Sequence, residues 1–115
     1  MDRPVQMDIE VVISASNIQP ALSAVMALHD EHAPVGNASA HLIAALATWG
    51  FEAERDFRTG DVWIEVFRGR YWRQQERLFD ALAPYARGEV DVIARDGPRW
   101  CYRFGDALVA HDEAA

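Results

Sequence analysis

The chain has 115 residues, half of them hydrophobic and a quarter charged, a composition typical of one globular domain. The formal net charge of −7 excludes a general nucleic-acid binder, which needs a positive surface to displace counterions from phosphates. The single cysteine, Cys101, excludes an intrachain disulfide and a cysteine-based metal cage. Because no apolar run approaches the roughly 18 residues of a membrane span and no signal peptide is recognisable, we expect a cytoplasmic protein.

The first half of the chain predicts a strand and two helices. Apolar residues alternate with other residues over Met7–Ile13, which indicates a strand with one buried face. A helix follows, with Ser16 or Asn17 as its N-cap and Pro20 in its first turn. A second helix is predicted from the cap Asn37 to the C-cap Gly50.

The second half predicts a hairpin, a helix and further strands. In chain order these are strand 51–57, the turn Arg58–Asp61, strand 62–67, a helix from about Trp72 to Ala86, strand 90–94, strand 100–104 and a short last strand 107–111. In strand 62–67 we expect Val62, Ile64 and Val66 on one face, opposite Trp63, Glu65 and Phe67. The tail 112–115 is expected to be frayed.

The predicted fold class is α+β, in a single domain over residues 1–115. The simplest packing is an antiparallel sheet with helices on one face. Its core is predicted to be a ferredoxin-like β-α-β-β-α-β arrangement, with an extra helix after strand 1 and a hairpin added at the C-terminus.

Two groups of residues are candidates for a reactive site, but neither matches a known metal-binding or catalytic motif. His29 and His32, with Asp30, Glu31 and His41 nearby, match no zinc motif, and histidines near a helix C-terminus are explained by the helix dipole. Cys101 has no histidine close in sequence, although His111 could lie beside it across a final hairpin. Arg99 and Arg103 are the groups that could favour its thiolate. A packed, unreactive cysteine is the favoured interpretation. We therefore predict no catalytic residue, no metal and no cofactor.

Arginines and aromatic residues offer a candidate anion-binding site. Its members are Arg68, Arg70, Trp72, Arg73 and Arg77. Arginines one turn apart at a helix start, beside aromatic rings, suit a phosphate or a stacked base. The competing interpretation is a solvated helix face with local ion pairs.

The aromatic residues of two strands admit two interpretations. Trp63 and Phe67, with Trp100, Tyr102 and Phe104, form either an exposed binding patch or part of the core. The apolar character of both faces from Val62 onward suggests that a partner or a second copy of the chain covers the second sheet face.

The C-terminal third resembles a recurring unit of small, acidic, uncharacterised proteins from GC-rich bacteria and their phages. The resemblance rests on Leu78–Tyr85, with its LAPY ending, on Gly88–Val90, and on the DG turn and aromatic strand of Asp96–Phe104. It implies a structural unit and transfers no catalytic residue. In size and acidity the chain is also similar to toxin-immunity proteins and to phage-encoded inhibitors of bacterial defence.

The leading hypothesis is a non-catalytic acidic protein that blocks a basic protein partner. Up to Phe57 the chain carries eight carboxylates and two arginines, a net charge of −6, which would steer such a partner. The predicted partner-binding residues are Asp30, Glu31, Glu52, Glu54, Asp56, Trp63 and Phe67. The alternatives are a small-anion-binding or enzyme domain that uses the arginine cluster, and a structural homo-oligomer, such as a homodimer through the sheet. We expect neither direct nucleic-acid binding nor membrane binding.

Overall fold

The computed structural model describes residues 5–68, 75–94, 99–104 and 110–114. The described strands are β1 (Val5–Ile13), β2 (Phe51–Arg55), β3 (Val62–Phe67), β4 (Ala86–Ala94), β5 (Arg99–Phe104) and β6 (Ala110–Ala114). The described helices are α1 (Ile18–Ala27), α2 (Ala38–Thr48) and α3 (Gln75–Leu82), and a 3-10 turn at Ala15–Asn17 precedes α1.

The described strands form one antiparallel sheet in the order β2-β3-β1-β4-β5-β6. β1 lies at the centre and pairs along its full length with β4, from Val5 opposite Ala94 to Ile13 opposite Ala86. β3 is inserted between β1 and β2, which are consecutive strands in the chain. The predicted α+β class with an antiparallel sheet is confirmed.

The helices cover one face of this sheet. That face is formed by alternate residues of each strand. Leu22 and Val25 of α1, and Leu42 and Leu46 of α2, are fully buried. The sheet residues in the same core cluster include Val11, Ile13, Val62, Ile64, Val90 and Val92. Burial of each such side chain stabilises the fold by roughly 1.5–3 kcal/mol.

Aromatic rings fill the core beneath α3. Phe79 of α3 has ring-centroid distances of 4.8 Å to Tyr102, 5.8 Å to Phe51 and 6.0 Å to Phe104. The hydroxyl of Tyr102 donates a 2.7 Å hydrogen bond to Glu76 Oε1. Tyr102 and Phe104 therefore belong to the core, while the side chain of Trp100 lies outside the described part of the chain.

A register shift in the β2–β3 pair changes which side chains of β3 point outward. Glu52 pairs with Val66 and Ala53 with Ile64, so Glu65 is an extra residue in β3. Such a bulge inverts the alternation beyond it. The prediction for the end of this strand was therefore wrong: Val66 is 37% exposed, and Phe67 packs on Phe51 at a ring-centroid distance of 5.0 Å.

α1 ends in a Schellman motif centred on Asp30. Asp30 has a left-handed backbone with φ 54°, its N–H donates to Ala27 O, and the Glu31 N–H donates to Met26 O. This pairing satisfies carbonyl groups that a helix end leaves free. Asp30 and Glu31 thus have a local structural explanation as a helix end.

Several boundaries in the second half differ from the prediction, and β2 ends at Arg55 instead of residue 57. α3 ends at Leu82 instead of Ala86, and β4 already begins at Ala86 because its first residues pair with the end of β1. The last strand is Ala110–Ala114, paired with β5, so the frayed tail was wrong for residues 112–114. The predicted helix start near Trp72 lies outside the described residues. None of the described helices has the length and apolar character needed to cross a bilayer.

Candidate functional site: the acidic sheet face

The sheet face opposite the helices carries most of the charge of the sheet. Its described side chains include seven carboxylates and two guanidinium groups. We call it the acidic face and define it by Asp8, Glu10, Glu52, Glu54, Glu65, Glu89 and Asp91, with Trp63 among them. Six of these carboxylate residues are exposed and Asp91 is half-buried.

Carboxylates lie directly opposite each other on the two central strands. Asp8 of β1 pairs with Asp91 of β4, and Glu10 pairs with Glu89. Directly opposite side chains on one face have Cβ atoms about 4.5–5.5 Å apart, and like charges in such positions destabilise a sheet. The central strands therefore hold an arrangement that folding alone would disfavour.

Trp63 borders this carboxylate ladder. It pairs with Val12 on one side and with Glu54 on the other, and 37% of its surface is exposed. Trp63 and Glu65 line an open depression of about 410 Å³ together with Asp8, Glu10, Glu89 and Asp91. An indole ring at the edge of a group of carboxylates suits a partner that brings both positive charge and apolar surface.

Few of these carboxylates are neutralised within the described parts of the chain. The ion pair found there joins Arg68 Nε to Glu52 Oε1 at 2.7 Å, and both side chains are more than half exposed. Arg87 and Arg103 share the acidic face, where Arg103 pairs with Glu89 across β4 and β5 without an ion pair. The negative charge is therefore gathered and largely unpaired.

The predicted partner-binding residues are only partly brought together. Glu52, Glu54 and Trp63 lie on the acidic face. Asp30 and Glu31 are exposed at the end of α1, on the helix side, and Phe67 packs against the core. Asp56 serves its own turn, where its Oδ1 accepts hydrogen bonds from Arg58 N at 2.8 Å and Thr59 N at 3.4 Å.

Five residues of the acidic face were missed from the sequence: Asp8, Glu10, Glu65, Glu89 and Asp91. The signal was present, because Asp8 and Glu10, like Glu89 and Asp91, stand at alternate positions of predicted or observed strands. Only the pairing of β1 with β4 brings the two sets together.

Cys101 lies on the acidic face beside Asp91. It is half-buried, and its Sγ lies 3.8 Å from Tyr102 O. Burial raises the pKa of its thiol, and the hydrogen bond and negative charge of Asp91 raise it further, against a lowering effect of Arg103. The thiolate is thus disfavoured, contrary to the effect considered for the flanking arginines.

The structure describes the arginine cluster in part and the histidine group fully. Arg68 and Arg77 line the same cavity on the helix side, whereas Arg70, Trp72 and Arg73 lie outside the described residues. Among the described side chains, including those of His29 and His32, no group of three or more potential ligands has metal-binding geometry.

The chain was compared with protein-family models, with curated proteins and with solved structures. None of the three comparisons finds a match.

Proposed function

We propose that this protein is a non-catalytic cytoplasmic binding protein that blocks a basic protein partner by docking it on the acidic face. The observation that carries this proposal is the placement of like charges directly opposite each other, Asp8 with Asp91 and Glu10 with Glu89. A sheet that served only as a scaffold would gain stability from neutral or opposite charges at these positions.

Electrostatic steering is the first step of the proposed mechanism. Unpaired carboxylates on one face raise the association rate with a positive surface, and this gain falls as salt screens the field. A basic protein that handles nucleic acid, such as a nuclease toxin or a defence complex, is the class of partner proposed. Its positive surface would accept the carboxylates in place of phosphates.

Trp63 supplies the apolar anchor of the proposed interface. It is partly exposed beside Glu54, and tryptophan and arginine dominate the binding energy of many protein interfaces. An arginine of the partner can stack on the indole ring while its guanidinium group contacts the carboxylates of the depression.

The strand order supports a ferredoxin-like core as part of this proposal. The order β2-β3-β1-β4, in which β3 separates the consecutive strands β1 and β2, suits a split β-α-β arrangement. β5 and β6 then extend the sheet beyond β4. In this architecture the helices occupy one face, which leaves the other face free for docking.

The binding test uses a fluorescently labelled nona-arginine peptide as a basic probe, measured by anisotropy at low salt. The double variant Glu10→Gln/Glu89→Gln should weaken binding roughly 10-fold, since two lost charge contacts of about 0.7 kcal/mol each make a tenfold difference. The control Glu31→Gln/Asp80→Asn removes the same charge from exposed positions on the helix side. It should leave the affinity nearly unchanged.

Equal weakening in both double variants would contradict the proposal, because binding would then depend on net charge alone. Absence of binding by the unmodified protein at low salt would contradict it as well. The partner itself is sought with the same three proteins as baits. The proposed partner is retained by the unmodified protein and by the helix-side control, and is lost from the acidic-face variant.

A further inference from the structure

A second candidate site lies on the other side of the molecule, among the helices. A cavity of about 970 Å³ opens where the end of α1, one side of α2 and the start of α3 meet near the end of β3. We define this helix-side cavity by Met26, His29, His41, Trp49, Arg68 and Arg77. Small-molecule sites have volumes of about 300–1,000 Å³, so this one has room for a ligand of that class.

The described lining of the helix-side cavity carries more positive than negative side chains. Arg68 and Arg77 line it together with His29 and His41, and the described lining contains one carboxylate, that of Glu31. Arg68 also contacts Glu52 through its Nε. In a chain of net charge −7, two guanidinium groups and the N–H donors of two imidazoles around one cavity favour an anionic ligand.

A pair of rings forms part of the cavity wall. The centroids of the His29 and Trp49 rings are 5.3 Å apart with an interplanar angle of 41°. The backbone of Trp49 is held by Gln75, a buried residue whose Nε2 donates to Trp49 O at 3.3 Å. The two tilted rings, next to the alanines of α2, offer aromatic and apolar surface on which a planar ligand can pack.

The indole N–H of Trp49 gives further support for a ligand in the helix-side cavity, independent of the charge of its lining. Trp49 Nε1 is buried and has no hydrogen-bond partner among the described residues. An unpaired buried donor is costly, and such a group in a native fold calls for an explanation. A ligand that brings a hydrogen-bond acceptor against the ring pair, after a small side-chain movement, would satisfy it.

We propose that the helix-side cavity binds a planar organic anion, an aromatic or heteroaromatic compound that carries a phosphate or a carboxylate. The anionic group lies against Arg68 and Arg77. The planar body packs on His29 and Trp49, and one of its atoms accepts a hydrogen bond from the indole N–H. The site meets the acidic face at the Arg68–Glu52 ion pair. Its test uses Arg77 and Trp49, which are not part of that face, so the result does not depend on the proposed function.

The test is thermal unfolding of the full chain with two probes, AMP for a phosphate and 1-naphthoate for a carboxylate. At saturation at least one of them should raise Tm by roughly 3 °C or more. Adenosine and inorganic phosphate, the separate halves of AMP, should each give less than a third of the AMP shift. Naphthalene and acetate, the separate halves of 1-naphthoate, should each give less than a third of the 1-naphthoate shift.

Three variants locate the binding by isothermal titration. Arg77→Gln should reduce the affinity at least 10-fold, whereas the matched control Arg87→Gln, on the acidic face, should not change it. Trp49→Phe keeps a flat ring but removes the N–H, and it should weaken binding several-fold.

Three outcomes would overturn the inference. They are no stabilisation by either probe, equal effects of Arg77→Gln and Arg87→Gln, and full stabilisation by inorganic phosphate or acetate alone.

Discussion

Burial and the neighbouring Asp91 both disfavour ionisation of Cys101. Cys101 and Asp91 are directly paired across β4 and β5, so the thiol lies beside a carboxylate on a partly buried surface. Burial and the Asp91 carboxylate both raise the pKa of the thiol, and each disfavours the thiolate that would act as a nucleophile. This residue pair therefore suits a passive sulfhydryl better than a catalytic one.

We predict that Cys101 reacts slowly with a disulfide reagent at pH 8, and that Asp91→Asn speeds the reaction several-fold by lowering the pKa of the thiol. Because the folded-state pKa is raised, the contribution of Cys101 to stability is present at lower pH and is lost as the pH rises through that pKa. Reaction rates measured from pH 7 to 10 give the pKa of the thiol in each variant and so test the predicted effect of Asp91. Asp80→Asn is the control, and equal acceleration by both variants would contradict the prediction.

Gly88 allows β4 to approach β1 closely. It has φ 117°, and a Cβ atom at this position would collide with the backbone carbonyl of Glu10. Gly88 pairs with Val11 at the centre of the sheet, where backbone movement would disturb both strands. The position therefore requires glycine on two grounds, conformation and space.

We predict that Gly88→Ala lowers the free energy of unfolding by about 2–4 kcal/mol, the sum expected from backbone strain and overpacking. Urea denaturation followed by circular dichroism measures this change. Gly36→Ala is the control for a left-handed backbone alone, since nothing lies within 4 Å of a Cβ atom there. An equal loss in the two variants would show that the close approach to β1 is unimportant.

At the scale of elements, β1 and β4 combine a strong core face with an unfavourable outer face. On the inner side Ile9 pairs with Val90 and Met7 with Val92, which favours their long register. On the outer side the same register places carboxylates opposite each other. The hydrophobic face sets the pairing, because a slip by one residue would move every apolar side chain to solvent.

We predict that Glu10→Gln or Glu89→Gln stabilises the free protein by about 0.2–1 kcal/mol while weakening binding to the basic probe. Relief of like-charge repulsion gives the gain, so it should shrink as salt is added. Thermal unfolding at 10 mM and 300 mM NaCl tests both statements. A loss of stability in these variants would mean that the carboxylates serve the fold instead of an interaction.

At the scale of the whole molecule, the two sides differ in charge. The sheet side presents carboxylates of which Glu52 is ion-paired, and the helix side holds the arginine- and histidine-lined cavity. This division suits a molecule that meets a macromolecule on one side and a small anion on the other. It also bears on the alternative of a homodimer through the sheet, since both copies would bring seven carboxylates to a shared face.

We predict that the protein does not self-associate through the acidic face at low salt, because like-charged faces repel. Light scattering at 10 µM and 500 µM in low salt should give the same mass. The double variant Glu10→Gln/Glu89→Gln provides the comparison. A dimer of the unmodified protein that this variant abolishes would contradict the prediction and favour the homo-oligomer.

The fold class and the order of most elements follow from local patterns in the sequence. Periodicity located β1, both early helices and the hairpin strands to within a few residues, because alternating and helical patterns of apolar residues reflect burial along one segment. Helical spacing predicts an inner side of α3 formed by Gln75, Leu78, Phe79, Leu82 and Tyr85. The first four are buried, whereas Tyr85 is half-buried and lies beyond the end of the helix. The sequence also identified Glu52, Glu54 and Trp63 as surface candidates.

Which charges share a surface depends on how the strands pair in the folded protein. The bulge at Glu65 turned Phe67 inward and Val66 outward, an effect of β2 pairing that leaves no periodic signal in β3 itself. The register of β1 and β4 joined Asp8 and Glu10 to Asp91 and Glu89, residues about 80 positions apart in the chain. Local patterns specify the faces of each strand, whereas the partner of each face is set by long-range packing.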